Sequence, residues 1–507
     1  MERLTVVLIS SIALLLAAAG AAYYARGWLF SNLPASLVDP LLRAALGIRE
    51  QRDVMVPMRD GTRLATNLYY PTRLEPPYAT VLLRLPYGKD AYSEARQTVI
   101  PFVRSGYVVA TQDMRGRFRS EGVFAPYRGD SEDGSDTVDW LASQPWSNGK
   151  IGTIGCSALG ETQVLMARQR NPHHAAMIAL GAGGAIGSAG GRYGYFGVFE
   201  GGVFNLASGF GWFLHNGSKR PGATPGAHVD IGKAIRELPV AGMVRRHRSD
   251  STDFDDFVSR PLADLYWREM GYVSDEDRFS TPALLVNTWH DQTVADTLAL
   301  AELMKRNWDG VSDRVARHVI VGPGNHCDVW EAAHSGMVGD LPIGKNATQP
   351  YGEWFAAMFD YWLRGRPDRK PDLPAYRFYI LGEDRWADSA EWPPSGVVFT
   401  RWYLGGTSRA NSKAGGGTLN SDLPPSADRY DQFRYDPNDP VPTRGGPICC
   451  TGNPQDRAGP RNQHDVESRD DVLVFTSAPL ASGLRIAGPL SAELYISSDA
   501  RDTDFVV

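Results

Sequence analysis

The first large part of the chain, residues 51–183 and 276–370, has a pattern of apolar and polar residues that predicts strands alternating with helices. Continuous apolar runs that end in Gly, Pro or Asp, the pattern of strands buried on both faces, occupy residues 79–88, 106–113, 150–155 and 282–291. Helix-prone segments lie between them, and an Asp60-Gly61 turn joins two further strands after residue 51. This alternation predicts a parallel sheet covered by helices.

Two segments depart from this alternation. Residues 184–275 begin rich in Gly and aromatic residues and continue as a charged, helix-prone stretch, which predicts a cap inserted between core parts 51–183 and 276–370. From residue 371 onward, short apolar runs are separated by Gly, Pro, Asn and Ser. We expect a β-sandwich or jelly roll over 371–507.

The N-terminal segment has a different composition from the rest of the chain. Residues 4–24 are almost wholly apolar and are long enough to span a bilayer as one helix. Small residues at 17–22 also offer cleavage sites for a signal peptidase. We expect export, with residues 1–26 as either a cleaved signal peptide or a retained membrane anchor and 27–50 as a linker; a buried globular helix is the alternative.

Composition narrows the function classes. Hydrophobic residues make up 43% and charged residues 22%, which excludes wholesale disorder. The net charge of −6 does not provide the excess of positive charge that is typical of nucleic-acid-binding proteins. Four cysteines do not make a disulfide scaffold, and their spacing matches no zinc motif, so we expect neither a metal nor another cofactor. Cys449 and Cys450 are adjacent and are expected to be unpaired thiols.

The strongest local signal for chemistry is the GCSALG motif at residues 155–160. A buried strand ends at Gly155 and a helix follows, so Ser157 lies at a tight strand-to-helix turn, like the nucleophile elbow of α/β-hydrolases. The helix N-terminus directs free N–H groups at that turn, and the Ala158 N–H is a natural oxyanion donor. The spacing is G-x-S-x-x-G and not strict G-x-S-x-G; a serine that caps an ordinary helix is the alternative.

The order of the following residues strengthens the hydrolase interpretation. In this fold an acid and then a histidine follow the nucleophile, each just after a strand. Asp291 and His326 meet that requirement, with Asp296 and His334 as weaker competitors. We therefore expect Ser157 to attack a carbonyl and form an acyl-enzyme, His326 to transfer the proton, and Asp291 to orient the imidazole.

Other residues are candidates for binding. Tyr87 follows the strand that ends in LPYG, where it either supplies a second oxyanion donor or simply packs at the strand end. Phe196 and Trp212 belong to an aromatic stretch that either lines a substrate pocket or forms the core of the cap. Glu200 either binds a substrate ammonium group or is a solvated surface carboxylate.

The motifs together resemble the CocE/NonD-type hydrolases, which include cocaine esterases, α-amino-acid ester hydrolases and X-Pro dipeptidyl-peptidases. The resemblance covers residues 51–507 and rests on VPMRDGTRLATNLYYP, LPYGKD, TQDMRGRFRSEG, DGSDTVDWLASQPWSNGKIGTIGCSALG, YDPNDPVPTRGG and SSDARDTDF. It implies an α/β-hydrolase domain, a helical cap and a C-terminal jelly roll. It further implies Ser157 as nucleophile, Asp291 as acid, His326 as base, and Tyr87 with the Ala158 N–H as oxyanion donors.

Two departures from the family pattern affect these expectations. Ala158 stands where the family usually has Tyr, which removes a wall of the acyl pocket but keeps the backbone donor. The chain also stops before the family's jelly roll is complete, so we expect unpaired strand edges, an exposed apolar face and poor solubility or stability.

The sequence thus predicts a serine hydrolase that cleaves an ester or amide bond of a small molecule or peptide. Within enzymes, the alternative is an X-Pro dipeptidyl-peptidase, which needs an acidic group for the substrate amino terminus. From another class, the alternative is a non-catalytic binding protein on a hydrolase scaffold. The oligomeric state is left open.

Overall fold

One large, mostly parallel sheet organises the molecule. The computed structural model describes residues 46–183, 185–220, 229–310, 317–406, 408–423 and 430–507. The sheet has ten strands, in the spatial order β1 (Ile48–Pro57), β2 (Arg63–Pro71), β4 (Val108–Asp113), β3 (Tyr78–Leu85), β5 (Ser147–Cys156), β6 (His174–Leu180), β9 (Ala283–His290), β10 (Arg317–Asn325), β13 (Tyr376–Ile380) and β14 (Arg385–Ser389). Strands from β4 to β13 in this order run parallel, and the outer strands β1, β2 and β14 pair antiparallel.

Helices cover both faces of this sheet, as the apolar runs predict. They are α1 (Ser93–Arg104), α2 (Asp130–Ala142), α3 (Ala158–Ala167), α9 (Val294–Arg306), α10 (Glu331–Ser335) and α11 (Tyr351–Arg364). Successive residues of β9 point to opposite faces: Leu284 packs in the same cluster as Phe359 of α11, whereas Leu285 packs with Leu300 of α9. All four side chains are fully buried. The parallel sheet covered by helices is therefore confirmed, although the sequence pattern did not single out β6.

The cap lies between β6 and β9 and consists of short helices around aromatic side chains. These are α4 (Leu206–Asn216), α5 (Ile231–Ala234), α6 (Met243–His247), α7 (Phe254–Ser259) and α8 (Leu265–Met270), with the small hairpin β7 (Phe199–Glu200) and β8 (Val203–Phe204). Its aromatic rings belong to the same hydrophobic cluster as one face of the sheet. The cap therefore packs directly on the core.

The C-terminal region differs from the expected sandwich in where its strands lie. β13 and β14 fall after residue 371, yet they extend the main sheet because β13 pairs with β10. Beyond them come the pair β15 (Tyr403–Gly406) and β16 (Gly417–Asn420), and the small pair β11 (Met337–Val338) and β12 (Leu341–Pro342) precedes them. Residues 477–507 are all described and contain no strand, although LSAELYISSDA has the alternating pattern of one.

The N-terminal expectations lie outside the described residues. The proposed signal or anchor at 1–26 and most of the linker at 27–50 belong to the undescribed part, and β1 already begins at Ile48. In the part of the chain that the structure describes, no helix combines the length and the apolar character needed to cross a membrane.

Candidate active site

Ser157 occupies a strained turn between β5 and α3. Its backbone lies at φ 59°, ψ −128°, a conformation that side chains other than glycine rarely adopt and that often marks a functional site. Two glycines allow this turn: a Cβ on Gly155 would lie 2.4 Å from Leu159 Cβ, and one on Gly160 would lie 2.7 Å from Ala182 Cβ. The second glycine of the motif thus allows close packing of α3 against the residues that end β6.

Three side chains form a hydrogen-bonded chain at the carboxyl edge of the sheet. His326 Nε2 lies 2.8 Å from Ser157 Oγ, and His326 Nδ1 lies 2.7 Å from Asp291 Oδ2. Each residue follows a different strand, namely β5, β9 and β10, and those strands run in the same direction. The structure therefore brings together all three residues that the order along the chain indicated.

The surroundings of His326 and Asp291 determine the pKa values of their side chains. Burial lowers the pKa of His326, but the Asp291 carboxylate outweighs burial and raises that pKa to about 9. Burial likewise opposes the charge on Asp291, yet His326 and two hydrogen bonds from Thr293 keep its pKa below the usual value. Thr293 donates to Asp291 Oδ1 from its backbone N–H at 2.8 Å and from Oγ1 at 2.7 Å. Asp291 is thus held ionised against the imidazole.

The two predicted oxyanion donors, Tyr87 and the Ala158 N–H group, both lie at the cavity that contains Ser157. Tyr87 follows β3 and lines the cavity together with Ser157, and its hydroxyl accepts a hydrogen bond from Trp212 Nε1 at 3.2 Å. Burial raises the pKa of Tyr87 well above its ordinary value, so the phenol keeps its proton. Ala158 is the first residue of α3, where backbone N–H groups have no partner within the helix. Both groups can donate to an oxyanion beside Ser157 Oγ.

A disulfide that the sequence analysis missed joins two of the loops. Cys156 and Cys327 are bonded, with Cα atoms 5.8 Å apart. Cys156 directly precedes Ser157, and Cys327 directly follows His326. Sequence position alone did not predict this bond, because cysteines beside two hydrogen-bonded residues do not necessarily have Cα atoms within the roughly 4.4–6.8 Å that a disulfide needs.

A small cavity of about 30 Å³ opens at Ser157. Phe196 and Trp212 of the cap line it, although both side chains are also buried in the cap core, so the two alternatives for them coexist. Glu200 lies on β7 and is not among the lining residues. Desolvation of its carboxyl and the negative charges of Asp296 and Asp291 raise the pKa of Glu200 to about 7.

The C-terminal region supplies one wall of this cavity, which sequence reasoning did not foresee. Cys449 and Cys450 line the cavity opposite the sheet and are both free thiols, as predicted. The neighbouring Cys449 thiol lowers the pKa of the Cys450 thiol. A Cβ on Gly211 of α4 would lie 2.2 Å from the Thr451 carbonyl oxygen. The cap and the loop that carries Cys449 and Cys450, here named the cysteine loop, are therefore in backbone contact.

The competing residues of the sequence analysis have other roles. Asp296 is buried in α9 and forms an ion pair with Arg192. His334 is exposed on α10, where its ring Nδ1 contacts the Trp330 carbonyl oxygen at 2.7 Å. Neither of them contacts Ser157 or His326.

Comparisons with known proteins agree with this geometry. Residues 60–328 match the family model of the X-Pro dipeptidyl-peptidases (S15 family), and residues 369–507 match the C-terminal non-catalytic domain of X-Pro dipeptidyl-peptidases. A cocaine esterase of Rhodococcus sp. (strain MB1 Bresler) is 33% identical over 478 residues, which cover 89% of this chain and 78% of that protein.

Solved structures share the fold. An aminopeptidase from a marine sediment archaeon, Thaumarchaeota archaeon, superposes with a TM-score of 0.67 at 22% identity, covering 87% of this chain and 74% of the other. An α-amino acid ester hydrolase superposes with a TM-score of 0.65 at 23% identity, with the same coverage of both chains.

Proposed function

The chain belongs to the X-Pro dipeptidyl-peptidase (S15) family, a family of serine hydrolases that includes esterases, and we propose that Ser157, His326 and Asp291 carry its hydrolytic reaction. The observation that supports this assignment is the continuous chain of hydrogen bonds from Ser157 Oγ through the imidazole to Asp291. The direction of these contacts fixes the role of each nitrogen. Nδ1–H donates to the carboxylate, which leaves Nε2 as the proton acceptor for the hydroxyl.

The proposed reaction proceeds in two halves. His326 Nε2 takes the Ser157 proton as Oγ attacks the substrate carbonyl, and it returns that proton to the leaving alcohol or amine. Water, activated by the same nitrogen, then attacks the acyl-enzyme and releases the carboxylic acid. Asp291 stabilises the imidazolium that forms in both halves, because its low pKa keeps it negatively charged throughout.

Tyr87 and the Ala158 N–H would stabilise the negative oxygen of each tetrahedral intermediate. Both flank Ser157 and are fixed before substrate binds, Tyr87 by its hydrogen bond with Trp212 and Ala158 by the helix. Donors that need no rearrangement act most strongly where charge develops in the transition state. Phe196 and Trp212 provide apolar walls, which favours a compact apolar or aromatic acyl group.

An X-Pro dipeptide substrate is the second candidate, and the family match supports it. Recognition of its amino terminus needs an ionised carboxylate near the cavity. Glu200 is the residue proposed for that contact, but it is exposed on β7 and does not line the cavity. We therefore favour simple esters. Hydrolysis rates of an aryl ester and of an X-Pro-nitroanilide distinguish the two, and faster peptide cleavage would reverse this order.

Covalent labelling of the full chain tests the proposed nucleophile. A fluorophosphonate probe should label the parent protein on Ser157 and leave Ser157→Ala unlabelled, because only an activated serine attacks the phosphorus. Circular dichroism of the two proteins provides the control for folding. Absence of labelling in a folded parent, or equal labelling of both proteins, would contradict the assignment.

We also propose that the protein is exported. The apolar segment at residues 4–24 supports this, and so does the Cys156–Cys327 disulfide, because such bonds persist mainly in oxidising compartments. Residues 1–50 placed before an alkaline phosphatase in a bacterial host should give an active, exported reporter. Its mass then distinguishes a cleaved signal from a retained anchor, and an inactive reporter would contradict export.

A further inference from the structure

The cavity carries a group of ligand atoms that hydrolysis does not use. His326, Cys449 and Cys450 each offer one atom, and these atoms all lie within 4.8 Å of one another. We propose that they form an inhibitory site for a thiophilic divalent cation, with Zn²⁺ as the representative ion. Occupation of the site withdraws His326 from Ser157 and blocks the serine.

The donor set matches the chemistry of zinc. Two thiolates and one imidazole, with a fourth position left for water, is a set found in zinc proteins. Zn–S bonds of about 2.3 Å and Zn–N bonds of about 2.0–2.1 Å place tetrahedral ligand atoms roughly 3.5–3.8 Å apart. The most distant pair of the three atoms therefore needs to close by no more than about 1.3 Å, which is within the reach of a side-chain rotation. Binding releases to solvent the protons held by the two thiols and by His326 Nε2, whose raised pKa keeps it protonated at neutral pH, and it changes no oxidation state.

The geometry of His326 selects which nitrogen binds the cation. Asp291 occupies Nδ1 at 2.7 Å, so Nε2 is the nitrogen that remains. A carboxylate behind a metal-bound histidine is a common arrangement, because it orients the ring and increases its basicity. The same Nε2 lies 2.8 Å from Ser157 Oγ. Since Nε2 has one lone pair, it can accept the serine proton or bind the cation, but not both.

Contacts with the core and with the cap hold the cysteine loop close to His326. Gln292 Nε2 donates to Cys449 Sγ at 2.9 Å, and Gln292 directly follows Asp291 in the chain. On the other side, the missing Cβ of Gly211 lets α4 touch the backbone of residues 450 and 451. Contacts from the core and from the cap thus hold both thiols at the cavity. The sequence predicted no metal site because Cys449 and Cys450 lie more than a hundred residues after His326, with no recognisable ligand spacing.

Cobalt provides a readout that does not depend on hydrolysis. The full-length protein, stripped with a chelator, should bind one Co²⁺ and show thiolate-to-cobalt charge-transfer absorption that added Zn²⁺ removes. Ser157→Ala keeps all three ligands and should give the same spectrum. Cys449→Ser combined with Cys450→Ser should lose the charge-transfer band. A parent protein without the band, a double variant that retains it, or a vicinal disulfide found by mass spectrometry would overturn the site.

The inhibitory part rests on the proposed function and is measured separately. Saturating Zn²⁺ should slow fluorophosphonate labelling of Ser157 at least tenfold, and a chelator should restore it. The cysteine double variant should show the same labelling rate with and without Zn²⁺. If the parent binds Co²⁺ but Zn²⁺ leaves its labelling rate unchanged, the inhibitory role is wrong. If no labelling occurs without metal, the proposed function fails while the cobalt spectrum still tests the site.

Discussion

The main sheet and the C-terminal region beyond residue 390 border the same cavity, yet they are built by different means. The central strands of the sheet are buried on both faces, and their backbones pair with neighbouring strands on both sides. The C-terminal region has one short two-stranded pair within its described residues, and it exposes many apolar side chains, including Leu480, Leu484, Ile486, Leu490, Leu494, Tyr495 and Ile496. Even so, it places Cys449 and Cys450 beside Ser157.

This difference shows that regular structure and precise placement are separate properties. The sheet positions Ser157, Asp291 and His326 through strand pairing, which is repeated along each strand. The C-terminal loop is positioned through a few close contacts, notably those at Gly211 and Gln292. Alterations on the sheet side should therefore have large effects on chemistry, whereas alterations on the other side should act through the shape of the cavity.

The largest expected effect is on the sheet side, at Asp291. Asp291→Asn should lower kcat by about 10⁴-fold, because the amide no longer stabilises the imidazolium or fixes the tautomer. Hydrolysis needs neutral His326, so kcat/KM of the parent should rise with pH up to the His326 pKa of about 9. The substitution removes the charge that raises this pKa, and the acid limb should move to lower pH. An unmoved limb would contradict the assignment of Asp291.

A smaller effect on the same side is expected at Tyr87. Tyr87→Phe keeps the ring but removes the hydroxyl, and kcat should fall about 10²–10³-fold, the usual loss for one oxyanion donor. KM should change little, because the donor acts on charge that develops in the transition state. Tyr92→Phe is the matched control, since its ring packs at a tilt against Tyr87, with ring centroids 5.0 Å apart, and does not line the cavity. Equal losses in both variants would indicate a packing effect.

Matched leucine substitutions compare how much the main sheet and the C-terminal region contribute to the free energy of unfolding. Leu284 on β9 is 0% exposed and Leu490 is 82% exposed. Leu284→Ala should therefore lower the free energy of unfolding by about 2–5 kcal/mol, whereas Leu490→Ala should change it by less than about 0.5 kcal/mol. Urea denaturation of both variants provides the measurement. Similar losses would mean that the C-terminal apolar side chains are buried in solution.

The smallest effect tests how the cysteine loop is held. Gly211→Ala should lower the free energy of unfolding by about 1–3 kcal/mol, because the new methyl group meets the Thr451 carbonyl oxygen and the backbone must shift. It should also raise KM by moving one wall of the cavity. Gly352→Ala in α11 is the control, because its methyl group meets nothing within 4 Å and should stabilise the helix slightly. A stabilised Gly211→Ala protein would show that the loop contact is weak.

The sequence by itself determined the parallel sheet and the order of its proposed catalytic residues. Buried parallel strands have continuous apolar runs, and their carboxyl ends share one edge, so Ser157, Asp291 and His326 could be placed together from the chain alone. The tertiary structure decided what lies across from them. Contacts between distant segments leave no periodic signal, so the Cys156–Cys327 bond, the cysteine wall of the cavity and the joining of β13 to the main sheet became visible only in the folded chain.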